Sequence, residues 1–148
     1  MSISQKCQYA LRATFELAKR PDEVVTIADL AKAQAIPVRF LETILPQLKQ
    51  SGLIESRRGI RGGYVLARDP RQIAVGEIIR FVDGPISPVR CVDGPAETEC
   101  PLYGRCAFLG LWQRAGAALS DVYDKTTLQD LIDEEQDAKV EQNPIYCI

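Results

Sequence analysis

Three cysteines, Cys91, Cys100 and Cys106, fall within sixteen residues of a chain that has five. Eight residues separate the first pair and five the second. Thiolates gathered on one segment either hold zinc or an iron–sulfur cluster, both of which want about four ligands, or act as redox-active thiols. Three make an incomplete ligand set. Candidates for the fourth ligand are Cys7 from the first helix of a partner subunit, Asp93, Glu97, Glu99, Gln8, Cys147 and solvent. Cys7 has the best chemistry, although its place on the apolar face of a helix equally suits a small buried hydrophobe. The chain has no histidine, no C-x-x-C pair and no phosphate-cradling glycine loop, which argues against an enzyme.

A second constellation lies upstream. Val38, Arg39, Phe40, Glu42 and Thr43 open an amphipathic segment, and Arg57, Arg58, Arg61 and Gly62 belong to a basic, glycine-rich stretch. Arginine can pair bidentately with guanine, glutamate can accept from a cytosine amino group, and Phe40 either packs or touches a thymine methyl. Arginines between glycines suit phosphates or a minor groove. Thr26, capping the helix that would lie over the DNA backbone, completes the candidate DNA-contacting set.

These residues need a scaffold that places them. Apolar positions at helical spacing predict a first helix from Ser4 to Arg20, stopped by Pro21-Asp22. Thr26 with Asp29 reads as a variant capping box before a short helix to Ala33, and Gln34-Ala35-Ile36 is a turn. A third helix follows from Pro37 to Ser51-Gly52, with a kink or break expected at Pro46. Leu53–Ser56 and Tyr64–Ala67 alternate like two strands, which makes the segment between them a wing. Another amphipathic helix runs from Ala74 or Val75 to Val82, and the Pro- and Gly-rich stretch after it is irregular. Beyond Cys106 a wide apolar stripe marks a helix of about eighteen residues whose surface calls for a second chain. Thr127 caps a short helix through Leu131, and an acidic, flexible tail is expected from Asp133.

The fold class is therefore mainly α with a small β-hairpin wing: a winged helix-turn-helix plus a long C-terminal dimerisation helix. The expected parts are residues 1–82 for DNA binding, 83–106 as a cysteine-bearing sensor loop, 107–132 for dimerisation and 133–148 as the tail. Residues 1–64 carry ten basic side chains against six acids, whereas the remainder carries eight against fourteen. A basic front suits a double-stranded DNA partner and an acidic rear argues against DNA wrapping the whole molecule. No apolar run is long enough for a membrane span and no signal peptide is recognisable, so a cytoplasmic location without a membrane partner is expected.

The segments Tyr9-Ala10-Leu11-Arg12, Ile27-Ala28-Asp29-Leu30-Ala31, Phe40-Leu41-Glu42, Leu48–Leu53, Arg58-Gly59-Ile60-Arg61-Gly62-Gly63-Tyr64 and Val75–Ile79 together carry a resemblance. Over roughly residues 2 to 132 the chain resembles the Rrf-two family of bacterial transcription regulators. The resemblance implies a homodimeric winged helix-turn-helix repressor or activator that regulates transcription by sequence-specific DNA binding. It places Glu42, Arg58 and Arg61 at DNA-reading positions. It also implies that Cys91, Cys100 and Cys106 are ligands of an iron–sulfur cluster, 2Fe-2S or 4Fe-4S, that senses redox state, iron or nitric oxide. Two features depart from the family. The first cysteine spacing is longer, and the first-helix positions where members carry an acidic or histidine ligand hold Gln8 and Arg12. The alternative is a cluster-free regulator controlled by thiol redox chemistry, an effector or a protein partner.

Overall fold

A computed structural model describes residues 2–93 and 100–142. Seven α-helices, one two-stranded hairpin and a 3-10 turn at Pro70–Gln72 are found among them, in the order α1 (Gln5–Ala18), α2 (Ile27–Gln34), α3 (Val38–Gln50), β1 (Ile54–Arg57), β2 (Gly63–Leu66), the 3-10 turn, α4 (Val75–Asp83), α5 (Arg90–Asp93), α6 (Leu109–Lys125) and α7 (Leu128–Gln142). None of these helices is long and apolar enough to cross a membrane.

The local signals act where the sequence puts them. Ser4 caps α1 by accepting from the Cys7 amide at 3.0 Å. Thr26 caps α2 by accepting from the Asp29 amide at 3.1 Å, and its hydroxyl donates to the Asp29 carboxylate at 2.8 Å. The turn into α3 uses Ala35 at φ +48°, a left-handed position filled without glycine. Pro37 is the cap of α3 and not its first residue. The helix runs unbroken through Pro46, so the expected division there is not found. The ring still removes one backbone donor and leaves the Glu42 carbonyl without its helical partner.

The hairpin pairs Ile54 with Leu66 through Arg57 with Gly63, one residue later on β1 and earlier on β2 than the alternation implied. Tyr64 also exchanges two 2.9 Å backbone hydrogen bonds with Val25, which ties the wing to the start of α2. That contact requires Gly63, because an added Cβ there would lie 2.3 Å from the Val25 carbonyl oxygen.

The main core is built from Ala10, Ala13 and Leu17 of α1, Leu30 of α2, Leu41, Ile44, Leu45 and Leu48 of α3, and Leu53, Ile54, Ile73 and Ile78. Leu128 and Ile132 of α7 complete it. The C-terminal helix thus returns to the N-terminal domain, and the Val75 amide donates to Thr126 while Leu128 donates to Ile73. This corrects two expectations. The last helix reaches Gln142 and not Leu131, so residues 133–142 are helical and not a tail. The front domain is also incomplete at residue 82. A smaller cluster of Cys7, Val75, Ile79 and Ile86 joins α1, α4 and the segment after it, with Leu119 and Tyr123 of α6 packed on its edge.

Candidate functional site

Helix α3 separates its residues cleanly. Leu41, Ile44, Leu45 and Leu48 are buried, while Val38, Arg39, Glu42 and Thr43 face solvent. Val38 and Arg39 fill the first two positions, where a recognition helix meets base edges. Glu42 is in no ion pair among the described residues, and Thr43 turns its hydroxyl to the Arg39 carbonyl at 3.2 Å. Phe40 belongs to the scaffold: it packs against the main core with its ring 5.3 Å from that of Tyr9. The Arg39 guanidinium lies 5.1 Å over the Phe40 ring, which orients the arginine at the helix start. Of the two roles open to Phe40, packing is therefore the one found. Thr26 is half-buried at the base of α2.

In the wing, Arg57 pairs with Glu55 at 3.0 Å on the same strand. Arg58 and Arg61 are exposed, with no ion pair among the described residues, and Gly62 is exposed beside them. Cationic side chains left without an internal partner are available to a polyanion.

The cysteines are less concerted. Cys91 lies in α5, Cys100 is at the edge of the described residues, and Cys106 stands in the turn into α6, where its carbonyl accepts from Leu109 at 3.2 Å. All three are free thiols of intermediate exposure. Among the described residues no three cysteine, aspartate or glutamate side chains converge on a metal-sized site. Glu97, Glu99 and Cys147, and the side chain of Asp93, lie outside the described residues. Cys7 is fully buried in the smaller cluster. Burial, the negative charge of Asp83 and a hydrogen bond to Asp83 push its thiol up to about 12, so in this chain it is held as the neutral thiol. Gln8 donates its side-chain Nε2 to the Ile3 carbonyl at 3.1 Å. Among the described residues the candidate donors are therefore three free thiols that do not converge and a buried, neutral Cys7.

Asp83 was not among the residues that sequence reasoning selected. It accepts from the Ser4 amide at 2.8 Å and the Ser4 hydroxyl at 2.5 Å, locking the end of α4 to the start of α1. A carboxylate just before Gly84-Pro85 was the available signal. Arg80 binds Asp124 of α6 through two hydrogen bonds of 2.6 and 2.8 Å, so the C-terminal half of α4 is fastened to both α1 and α6. Gly76 makes room for this pair, since a Cβ there would fall 2.0 Å from the Asp124 carboxylate.

Three helices, a turn at Ala35 and a β-hairpin wing define a winged helix-turn-helix protein. The chain matches the model of the Rrf2 family, described as an iron-dependent transcriptional regulator, over residues 3–134. It is 39% identical over 144 residues to the HTH-type transcriptional regulator CymR of Bacillus subtilis, covering 93% of this chain and 96% of that one. Among solved structures it is similar to CymR, the global cysteine regulator of B. subtilis (TM-score 0.74, 36% identity, 90% and 98% of the two chains). It is similar too to T. potens IscR (TM-score 0.79, 28% identity, 99% and 96%). The chain belongs to the Rrf2 family and is a transcriptional regulator of that family.

Proposed function

We propose that the chain is a sequence-specific DNA-binding regulator that works as a homodimer, with the state of its cysteine segment setting operator affinity. The observation that carries this reading is the exposed face of α3 presented beside a wing whose Arg58 and Arg61 have no ion pair among the described residues. Arg39 and Glu42 read base edges in the major groove, Val38 and Thr43 flank them, and Thr26 and the wing arginines with Gly62 hold the backbone. Dimerisation rests on α6: Phe108, Leu111, Ala115, Ala118 and Val122 recur at alternating three- and four-residue steps. Leu111 and Val122 are 45% and 60% exposed in the single chain. Two copies paired along this seam would carry two α3 helices to successive half-sites.

For the signal, the cluster-free reading is favoured by the three half-exposed free thiols and by the similarity to CymR, described as a global cysteine regulator. Cys106 begins the turn into α6, so a chemical change there acts on the dimer helix directly. An iron–sulfur cluster on Cys91, Cys100 and Cys106 is the second reading, favoured by the family's description as iron-dependent and by the three thiols. One experiment separates them. The protein is purified anaerobically, treated with iron and sulfide, and analysed by visible absorption and iron content; operator binding is then compared with the Cys91→Ser, Cys100→Ser, Cys106→Ser variant. A colourless, iron-free protein whose DNA binding responds to a disulfide oxidant supports the thiol reading. A coloured, iron-loaded one supports the cluster. Equal operator affinity of the wild type and the triple variant in every state removes the sensor role altogether.

A further inference from the structure

The tip of the wing carries a residue that folding does not explain. The Gly62 amide donates to the Gly59 carbonyl at 3.1 Å, closing a four-residue turn with Ile60 and Arg61 at its corners. Turn corners favour proline, glycine and short polar residues. Ile60 is instead β-branched and apolar, is 108% exposed, and is the most exposed large hydrophobic side chain among the described residues. It touches neither of the two hydrophobic clusters. Arg58 and Arg61 stand on either side of it, exposed and without ion pairs among the described residues.

We propose that Ile60 is a specificity residue that enters the minor groove beside the half-site read by α3. This rests on the DNA-binding function proposed above. A surface meant only for phosphate would place a cation at its tip; an apolar tip between two cations fits a groove whose walls are sugars and whose rims are phosphates. The minor groove is about 6 Å wide, which admits a two-residue turn tip but not a helix. Branching at Cβ restricts Ile60 to few rotamers, so little side-chain freedom is lost on insertion. Seated there, it packs on deoxyribose or wedges a base step, while Arg58 and Arg61 hold the phosphates on both sides. Discrimination then comes from how readily the flanking sequence accepts the wedge, at positions where the protein makes no base hydrogen bond.

The test uses the full chain and duplexes enriched by the wild type from a randomised pool. Ile60→Ala is expected to weaken binding to the enriched duplex by about tenfold, from partial loss of three buried carbons. It should leave the salt dependence and the unfolding temperature unchanged, and remove hydroxyl-radical protection of the minor-groove sugars flanking the half-site. Arg58→Ala and Arg61→Ala should instead each lower the salt slope by about one. If Ile60→Ala binds and protects the enriched duplex as the wild type does, the proposal is overturned while the DNA-reading function stands. If the wild type enriches no sequence, both fall.

Discussion

Helices α3 and α6 are both amphipathic, but they spend their apolar residues differently. Every large aliphatic residue of α3 after Val38 is buried within the single chain. In α6 only Gly116 is buried, and Phe108 before it, Leu111 and Val122 remain open. The first helix is finished by its own fold and can present a rigid reading surface. The second keeps apolar surface open in the single chain, and in the dimer proposed above its geometry would answer to a change at Cys106. A regulator needs both kinds of element, one that does not change and one that can.

The sharpest way to break this contrast is thiol labelling. Cys7 belongs to the finished part, and with its thiol near 12, about three units above the ordinary 9.0, its reactive thiolate is roughly a thousandfold scarcer at neutral pH. Labelling of the native protein at pH 8 followed by peptide mass analysis should therefore modify Cys91, Cys100 and Cys106 and spare Cys7. Rapid modification of Cys7 would mean that the smaller cluster around it opens as readily as the cysteine segment.

Core truncation comes next. Leu45→Ala should cost about 2–5 kcal/mol of stability in denaturant unfolding, because it empties a site enclosed on all sides. Leu111→Ala should change the stability of the single chain by within about 0.5 kcal/mol and yet lower the oligomeric mass seen by sedimentation. Equal destabilisation by the two would erase the distinction between the helices.

How much of this was legible in the sequence follows the same division. The helices and hairpin of the front half announced themselves because their apolar residues recur with the period of the element that buries them. Helix α7 did not. Its buried anchors are Leu128 and Ile132, with Leu131 packed on the smaller cluster and Glu135 paired with Lys19, and its other pairs, such as Gln129 with Asp133 and Lys139 with Glu135, resemble a solvated acidic tail when read as composition. The stripe on α6 was visible, but not its split into one face packed on α4 and another left open. Cys7 was legible as buried or ligating, and only the enclosure by Val75, Ile79 and Ile86 decides for burial.

Within the reading surface, Arg39→Ala should weaken operator binding by about 1–3 kcal/mol and relax the base preference at one position, with unfolding unchanged, in fluorescence anisotropy against single-base operator variants. The exposed guanidinium over Phe40 holds no part of the core. A uniform loss across all sequences would reassign Arg39 to phosphate.

The smallest expected effect concerns charge. Glu16 is the buried acid of the front half, 4% exposed, and its carboxylate meets Gln34 of α2 at 2.7 Å and Arg20 at 2.8 Å, with Lys19 at 3.3 Å reaching on to Glu135 of α7. Burial alone would raise its carboxyl, but the hydrogen bonds from Gln34, Lys19 and Arg20 outweigh that and hold it below the usual range. A carboxyl depressed by folding stabilises the native state above its unfolded value of about 4.3, and this contribution fades as pH falls through the lower folded value. Glu16→Gln keeps the shape and removes the charge, so it should cost about 1 kcal/mol at neutral pH and less than that below pH 4. The counterpart in the rear half is Asp124, whose pair with Arg80 is open to water, and Asp124→Asn should shift stability by less than Glu16→Gln does. Unfolding midpoints of both variants between pH 3 and 7 decide the matter. A larger loss from Asp124→Asn would show that the α4–α6 fastening, and not the front core, is the firmer part of the molecule.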